Sequence, residues 1–225
     1  MIDSALRRDT MVDTQLRPNE VTDGRLLEAM RSVPRELFVP APLRGLAYMD
    51  ESIEVFPSID GAPPRYLLAP MVLARLIQLV AVEPEDTVLD VGCVTGYSTA
   101  VLAPLARSVT GLEPEPELAK AARHVLHELG VDNAEIVKGA LNEGHKKSGP
   151  YDVILLNGSV PEPPLALLDQ LTEGGRLACV VAPNNAAQGK AYLFVRVGAE
   201  ASGVPHFDAG ARPLPGFARE PRFAF

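Results

Sequence analysis

Two carboxylates stand where a ligand-binding sheet would need them. Asp90 closes a short apolar run and precedes the glycines Gly92 and Gly96 in "VLDVGCVTGYST", residues 88–99. Such a run reads as a buried strand entering a tight turn and then a helix. Glycines in that turn let the backbone approach a ligand. Glu113 ends the next apolar run, "SVTGLEP", 21 positions after Gly92. A carboxylate there can accept from both hydroxyls of a sugar diol. The plainer reading makes Asp90 a turn cap and Glu113 surface charge. Both acids together, on consecutive strands at this spacing, favour the ligand. One residue fits badly. Val94 stands where a second small residue is expected, and a β-branched side chain resists φ > 0 and crowds a ligand.

These side chains need a scaffold that puts adjacent strand ends together. From Pro70 the sequence alternates regularly. Pro70 opens a helix through Val80, "DTVLDVG" is a strand, and "YSTAVLAPLA" is a helix interrupted near Pro104. "SVTGLEP" follows as a strand and "PELAKAARHVLHELG" as a helix stopped by Gly130. Strands "NAEIVKG" and "YDVILLNG", a helix "PPLALLDQLTEGG" and a strand "RLACVVA" continue the pattern. "KAYLFVRVG" and "PLPGFAREPRFAF" read as two last strands around a turn-rich insert. This alternation implies an α/β fold with a doubly wound, mostly parallel seven-stranded sheet. Ligands in such sheets bind at the carboxyl ends of the strands, beside the point where strand order reverses. Before Pro70, "SALRRDTMVDTQL" and "TDGRLLEAMRSV" have helical apolar spacing, the second with Thr22 as N-cap, and a long loop-rich stretch follows. The expected division is residues 1–69 as N-terminal helices and active-site loop, packed on a core of residues 70–225.

Composition narrows the partners. The chain has 225 residues, 47% hydrophobic and 22% charged, with a formal net charge of -8. That balance argues against a phosphate-neutralising surface, so nucleic acid is not expected. The longest apolar stretch, "YLLAPMVLARLIQLVAV", is broken by Pro70 and Arg75 and is too short to span a membrane. Cys93 and Cys179 have no metal-ligand spacing and read as buried free thiols. "MIDSALRRDTMVD" has no apolar signal core, so the expected compartment is the cytoplasm. His124 and His127 read as a solvated helix face without a third ligand, so no metal is expected. His145 reads as exposed, and His206 has no evident role.

The acid, the glycines and the second acid resemble an S-adenosylmethionine loop rather than a dinucleotide fingerprint, because G-x-x-x-G is not G-x-G-x-x-G. The resemblance then extends over nearly the whole chain. "MVDTQLRPNEVTDGRLLEAMRSVPRELFVP", "DTVLDVGCVTGYSTAVLAPLA" and "YDVILLNGSVPEPPLALLDQLTEGGRLACVV" are similar to segments of the protein-L-isoaspartate O-methyltransferase family. The resemblance implies a Rossmann-like class I methyltransferase with S-adenosylmethionine as cofactor and S-adenosylhomocysteine as product. It implies methyl transfer to a carboxylate of damaged protein. It places the cofactor at Asp90, Gly92, Cys93, Val94, Thr95, Gly96, Tyr97, Glu113 and Pro114, with adenine near Gly139, Ala140 and Leu141.

Three departures accompany the match. Val94 replaces the family's middle glycine. "VKGALNEG" puts Ala140 and Leu141 where the family has an acid and a glycine, losing one adenine hydrogen bond of about 0.5–1.5 kcal/mol. "YLLAP", residues 66–70, replaces a Thr-Ile-Ser-Gln-Pro active-site segment, with Leu68 at the serine and Ala69 at the glutamine. Tyr66 or Tyr97 could supply a hydroxyl instead; Tyr66 reads equally as an aromatic lid contact, and packing at the helix start is the favoured reading of Tyr97. Asn157, with Ser159, ends the fourth strand facing the acceptor side or simply closes a turn. The expected activity is methylation of a protein or peptide carboxylate, with a small-molecule acceptor as a variant. The same departures would also suit a methyltransferase-fold binding module with weak or no cofactor affinity.

Overall fold

In the computed structural model the described residues are 4–59, 61–183, 186 and 188–217. The chain opens with α1 (Ser4–Met11), a π-helical turn (Val12–Leu16) and α2 (Gly24–Ser32). The N-cap of α2 is Asp23 rather than Thr22. Its carboxylate accepts from the Arg25 and Leu26 N–H groups at 2.8 and 3.2 Å, satisfying two donors the first turn leaves free. Two 3₁₀ turns follow at Arg35–Phe38 and Ala41–Leu46.

The loop-rich stretch contains an unexpected antiparallel hairpin, β1 (Ile53–Phe56) with β2 (Arg65–Leu67), which forms its own two-stranded sheet. Then α3 (Pro70–Val80) leads into the main sheet. Its strands are β3 (Thr87–Val91), β4 (Ser108–Glu113), β5 (Ala134–Lys138), β6 (Tyr151–Val160), β7 (Leu171–Val181), β8 (Gln188–Val197) and β9 (Glu200–Gly210). Helices α4 (Tyr97–Leu102) and α5 (Pro116–Glu128) make the first crossovers.

The sheet order is β5-β4-β3-β6-β7-β8-β9. The first five strands pair in parallel, and β7–β8 and β8–β9 are antiparallel. The chain winds outward from β3 to β5 and then returns to lay β6 on the other side of β3. The order therefore reverses at β3, whose carboxyl end carries Asp90 and Gly92. Strands β3 and β6 are buried almost throughout, as parallel strands covered on both faces must be.

Two expectations fail locally. The helix expected over "PPLALLDQLTEGG" shrinks to α6 (Leu165–Leu168), and β7 begins at Leu171 inside that segment. Three prolines in "PEPPLALL" leave few backbone donors for a longer helix. The final strand lies in the supposed insert, at β9, and not in "PLPGFAREPRFAF". Residues 213–217 of that segment form no strand, and residues 218–225 fall outside the described residues.

The core is continuous from the N-terminal helices to the sheet, running from Met11 and Leu26 through Val72 and Leu76 to Val153 and Ala178. Gly111 sits beside Asp90 in the β3–β4 register. A Cβ there would lie 2.5 Å from Ile136 Cδ1, 2.9 Å from Thr99 Oγ1 and 3.1 Å from Cys93 Sγ. Gly111→Ala is expected to cost about 1–3 kcal/mol by overpacking, read as a lower urea midpoint with an unchanged slope.

Candidate active site

The turn after β3 bends over the end of β4. The Gly92 and Cys93 N–H groups both donate to the Leu112 carbonyl, at 2.8 and 3.3 Å. Gly92 (φ +75°) and Gly96 (φ +91°) supply the left-handed conformations that close the turn. Gly96 also gives α5 room, since a Cβ there would stand 3.1 Å from Ala122 Cβ. Val94 adopts φ +55° as well, although it is β-branched. Its side chain is buried, and its N–H donates to Glu113 Oε2 at 3.0 Å. That bond and the packing hold a backbone conformation valine otherwise avoids.

Asp90 is fully buried and accepts from three side chains: Ser98 Oγ (2.7 Å), Thr99 Oγ1 (2.6 Å) and Asn157 Nδ2 (2.6 Å). Asn157 also donates to the Val91 carbonyl at 3.2 Å. Burial pushes the Asp90 carboxyl up, and these three donors oppose the shift. Asp90 thus ties the carboxyl end of β3 to the start of α4 and to β6. Neither Ser98 nor Thr99 is evident from the strand pattern. Their signal is two hydroxyls on the first turn of the helix that follows the glycine loop.

Glu113 is buried at the end of β4, and its partner is Arg65 of β2. Arg65 Nη1 donates to Oε1 and Nη2 to Oε2, the latter at 3.0 Å. The Glu115 N–H adds a bond to Oε1 at 3.2 Å. Burial pushes the Glu113 carboxyl up against the pull of Arg65 and the backbone donors. Sequence reasoning misses Arg65. Its signal is a lone cation directly before "YLLAP".

The other expected residues are placed as follows. Thr95 Oγ1 donates to the Phe38 carbonyl at 2.7 Å, binding the loop to the N-terminal extension. Tyr97 packs edge-on against Phe38 with Arg35 4.6 Å above its ring, the packing role expected of it. Arg35 is fully buried and donates to the Ala47 carbonyl (2.8 Å) and the Leu68 carbonyl (2.7 Å). It thereby fixes the backbone at Leu68, a role the motif "VPRELFVP" does not disclose. Tyr66 is half-buried, and its hydroxyl donates to Glu54 at 2.9 Å within the hairpin. Ser159 Oγ donates to the Ala211 carbonyl at 3.1 Å, so it serves the C-terminal segment and not the site. Pro114 and Gly139 are half-buried, Ala140 is exposed and Leu141 is buried. Both cysteines are buried free thiols, their pKa values pushed up by burial. His124, His127 and His206 are exposed, and among the described residues no cluster could hold a metal ion. No helix among them is long and apolar enough to cross a membrane.

A sheet reversing at an acidic strand end, with a glycine turn and a second acid on the neighbouring strand, defines a Rossmann-like class I methyltransferase. Residues 7–201 match the model of the protein-L-isoaspartate(D-aspartate) O-methyltransferase family. A protein-L-isoaspartate O-methyltransferase of Koribacter versatilis is 40% identical over 177 residues, 79% of this chain and 77% of that one. Protein-L-isoaspartate O-methyltransferase 1 of Syntrophobacter fumaroxidans is 35% identical over 212 residues, 93% of each chain. A solved protein-L-isoaspartate O-methyltransferase superposes with a TM-score of 0.80 at 25% identity, over 93% of this chain and 66% of that one. A Plasmodium falciparum structure assigned to the same activity, crystallised with S-adenosyl-L-homocysteine, shares the fold with a TM-score of 0.72 at 19% identity, over 92% of this chain and 97% of that one. The chain belongs to the protein-L-isoaspartate(D-aspartate) O-methyltransferase family, whose members are S-adenosylmethionine-dependent O-methyltransferases.

The side chains as they stand do not accommodate that cofactor. A Cβ at Gly92 would meet Leu214 Cδ2 at 3.0 Å, Arg65 Nη2 at 3.5 Å and Leu141 Cδ1 at 3.5 Å, so the space over the loop is filled. The cavity bounded by Arg35, Tyr66, Leu68, Gly92, Val94 and Asn157 holds about 10 Å³, room for one water. Small-molecule pockets are typically ~300–1,000 Å³. A larger cleft of about 340 Å³ lies at Thr87, Ser108 and Asn133, but it is at the amino ends of the strands, opposite the expected site.

Two expected outcomes follow. Gly should suit position 94 better than Ala, so Val94→Gly should exceed Val94→Ala in stability by about 1 kcal/mol, reversing the usual order. Paired chemical denaturation curves decide it. Asn157→Asp places a second carboxylate against Asp90, so one of the two must retain a proton. The folded state then binds more protons than the unfolded, and stability should fall with rising pH more steeply than in the wild type. A pH series of urea midpoints reads this slope.

Proposed function

We propose that this chain is an S-adenosylmethionine-dependent O-methyltransferase that methylates the free carboxylate of an isoaspartyl residue in a protein or peptide. One observation carries the reading: within a family match of residues 7–201, Asp90 and Glu113 lie at the carboxyl ends of adjacent parallel strands, on either side of the glycine turn in sequence. Glu113 is assigned to the ribose hydroxyls. Asp90 is assigned to holding the turn, through Ser98, Thr99 and Asn157. Gly92, Cys93, Val94, Thr95, Gly96, Tyr97 and Pro114 border the cofactor, and Gly139, Ala140 and Leu141 border its base. Tyr66, Leu68 and Asn157 form the acceptor side.

The reaction asks little of these residues in acid–base terms. An ionised carboxylate is already a nucleophile, so alignment and exclusion of water carry the rate. Arg35, by holding the Leu68 carbonyl, acts as a positioning residue for the acceptor segment. Tyr66 is engaged by Glu54, so it does not freely replace the hydroxyl lost at Leu68. A small-molecule carboxylate remains the variant acceptor. The two buried free cysteines support a reducing cytoplasmic setting.

Transfer of a tritiated methyl group from S-adenosylmethionine to paired isoaspartyl and aspartyl peptides tests the reading. The expected result is base-labile label in the isoaspartyl peptide alone. Label in a small carboxylic acid but in neither peptide moves the acceptor to the variant. No label in any acceptor, with no heat on titrating S-adenosylhomocysteine at millimolar concentration into folded protein, leaves a methyltransferase-fold binding module.

A further inference from the structure

We infer that Arg65 is a built-in competitor for the ribose site: it occupies Glu113, and the cofactor enters only by displacing Arg65 together with the β1–β2 hairpin. The inference rests on the assignment of Glu113 to the ribose hydroxyls.

The argument is first one of valence. A carboxylate offers about four acceptor positions. Here Glu113 accepts from Arg65 Nη1, Arg65 Nη2, the Val94 N–H and the Glu115 N–H, so all four are used. The two backbone donors belong to the loop and the strand end and stay with the fold. Only the guanidinium can leave, and it vacates one position on each oxygen. Those two positions are what a sugar diol needs. Arg65 and a ribose therefore cannot share Glu113.

The second argument is mechanical. Arg65 does not belong to the main sheet. It begins β2, a strand of three residues paired only with the four of β1. A two-stranded hairpin is marginal by itself, so its position depends on what its side chains grip: Ile53, Val55 and Leu67 are buried in the core, and Arg65 grips Glu113. Tyr66 grips Glu54 inside the hairpin and contributes no anchor to the main sheet. Arg212 stands 5.1 Å over the Tyr66 ring, an exposed-side contact of modest strength. The fork on Glu113, in which Arg65 and Glu113 are 6% and 0% exposed, is the charged anchor. Three residues later the Leu68 carbonyl is pinned by Arg35, which gives a lifting hairpin a fixed end.

The consequence reaches the acceptor. Arg65 is followed directly by Tyr66, Leu67 and Leu68, so lifting Arg65 moves the acceptor segment too. Cofactor entry and acceptor-site assembly are then one event. The measured affinity for the cofactor is the intrinsic affinity multiplied by the fraction of molecules with Glu113 free.

The test is calorimetry with S-adenosylhomocysteine on full-length wild type, Arg65→Ala and Arg65→Gln. Arg65→Ala frees Glu113, so the dissociation constant should fall by about tenfold or more, and Arg65→Gln, which loses the bidentate fork, should lower it by a smaller factor. Arg65→Gln keeps a donor for Glu113 and is included because Arg65→Ala leaves a buried carboxylate without its cation. Hydrogen exchange on the wild type gives a readout independent of any variant. Saturating S-adenosylhomocysteine should speed exchange at 53–56 and 65–67 while slowing it at 92–97. Unchanged or weaker binding in the folded variants overturns the competitor while leaving the cofactor assignment intact. Slower or unchanged exchange at 53–56 and 65–67 on binding does the same, and it decides the matter if neither variant folds. No heat from any of the three proteins overturns both.

Discussion

A buried guanidinium–carboxylate fork between β2 and β4 organises the site end of this molecule. Two charges removed from water are tolerable only when each finds close partners, because the desolvation penalty is several kcal/mol per ion. Glu113 meets that condition with Arg65 and two backbone N–H groups. One of those groups belongs to Val94, so the same carboxylate that holds the hairpin also holds the loop in its left-handed turn. Loop path, hairpin position and the closed surface over Gly92 share this one anchor.

Asp90 has the complementary role on the adjacent strand. Its three side-chain donors come from the first turn of α4 and from Asn157 within β6. It is spent on architecture, and it makes the carboxyl end of β3 rigid. Around it the N-terminal extension adds polar ties rather than only apolar cover. Thr95 reaches the Phe38 carbonyl, and Arg35 reaches the Ala47 and Leu68 carbonyls while stacking on Tyr97. The segment 65–68 is therefore held by two arginines, Arg35 buried in the core and Arg65 through its fork on Glu113.

Much of the frame is legible in the sequence because it rests on local signals. The helix from Pro70 to Val80, the strand ending at Asp90 and the helix stopped before Gly130 follow from apolar period, a proline start and a glycine stop. The hairpin escapes because its strands are four and three residues long and flanked by prolines, too short for a period to show. Over "PPLALLDQLTEGG" the apolar spacing suits a helix while much of the backbone serves β7 instead. Pairing of Leu171 with Tyr151 of β6 opens the strand inside that segment.

What the sequence determined by itself is the scaffold and the address of the site. Asp90, Gly92, Gly96 and Glu113 fall at adjacent strand ends because their spacing is tied to strand and helix lengths. Val94 is also readable as a residue under strain, since φ > 0 opposes a β-branched side chain whatever surrounds it. Only the tertiary structure decided what fills the site. Arg65 and Glu113 are 48 residues apart, and nothing local links them. Leu141 and Leu214 meet over Gly92 only once the sheet and the C-terminal segment are assembled. An ion pair or a packed side chain acts through space, so its occupant is settled by the fold and not by neighbours in the chain.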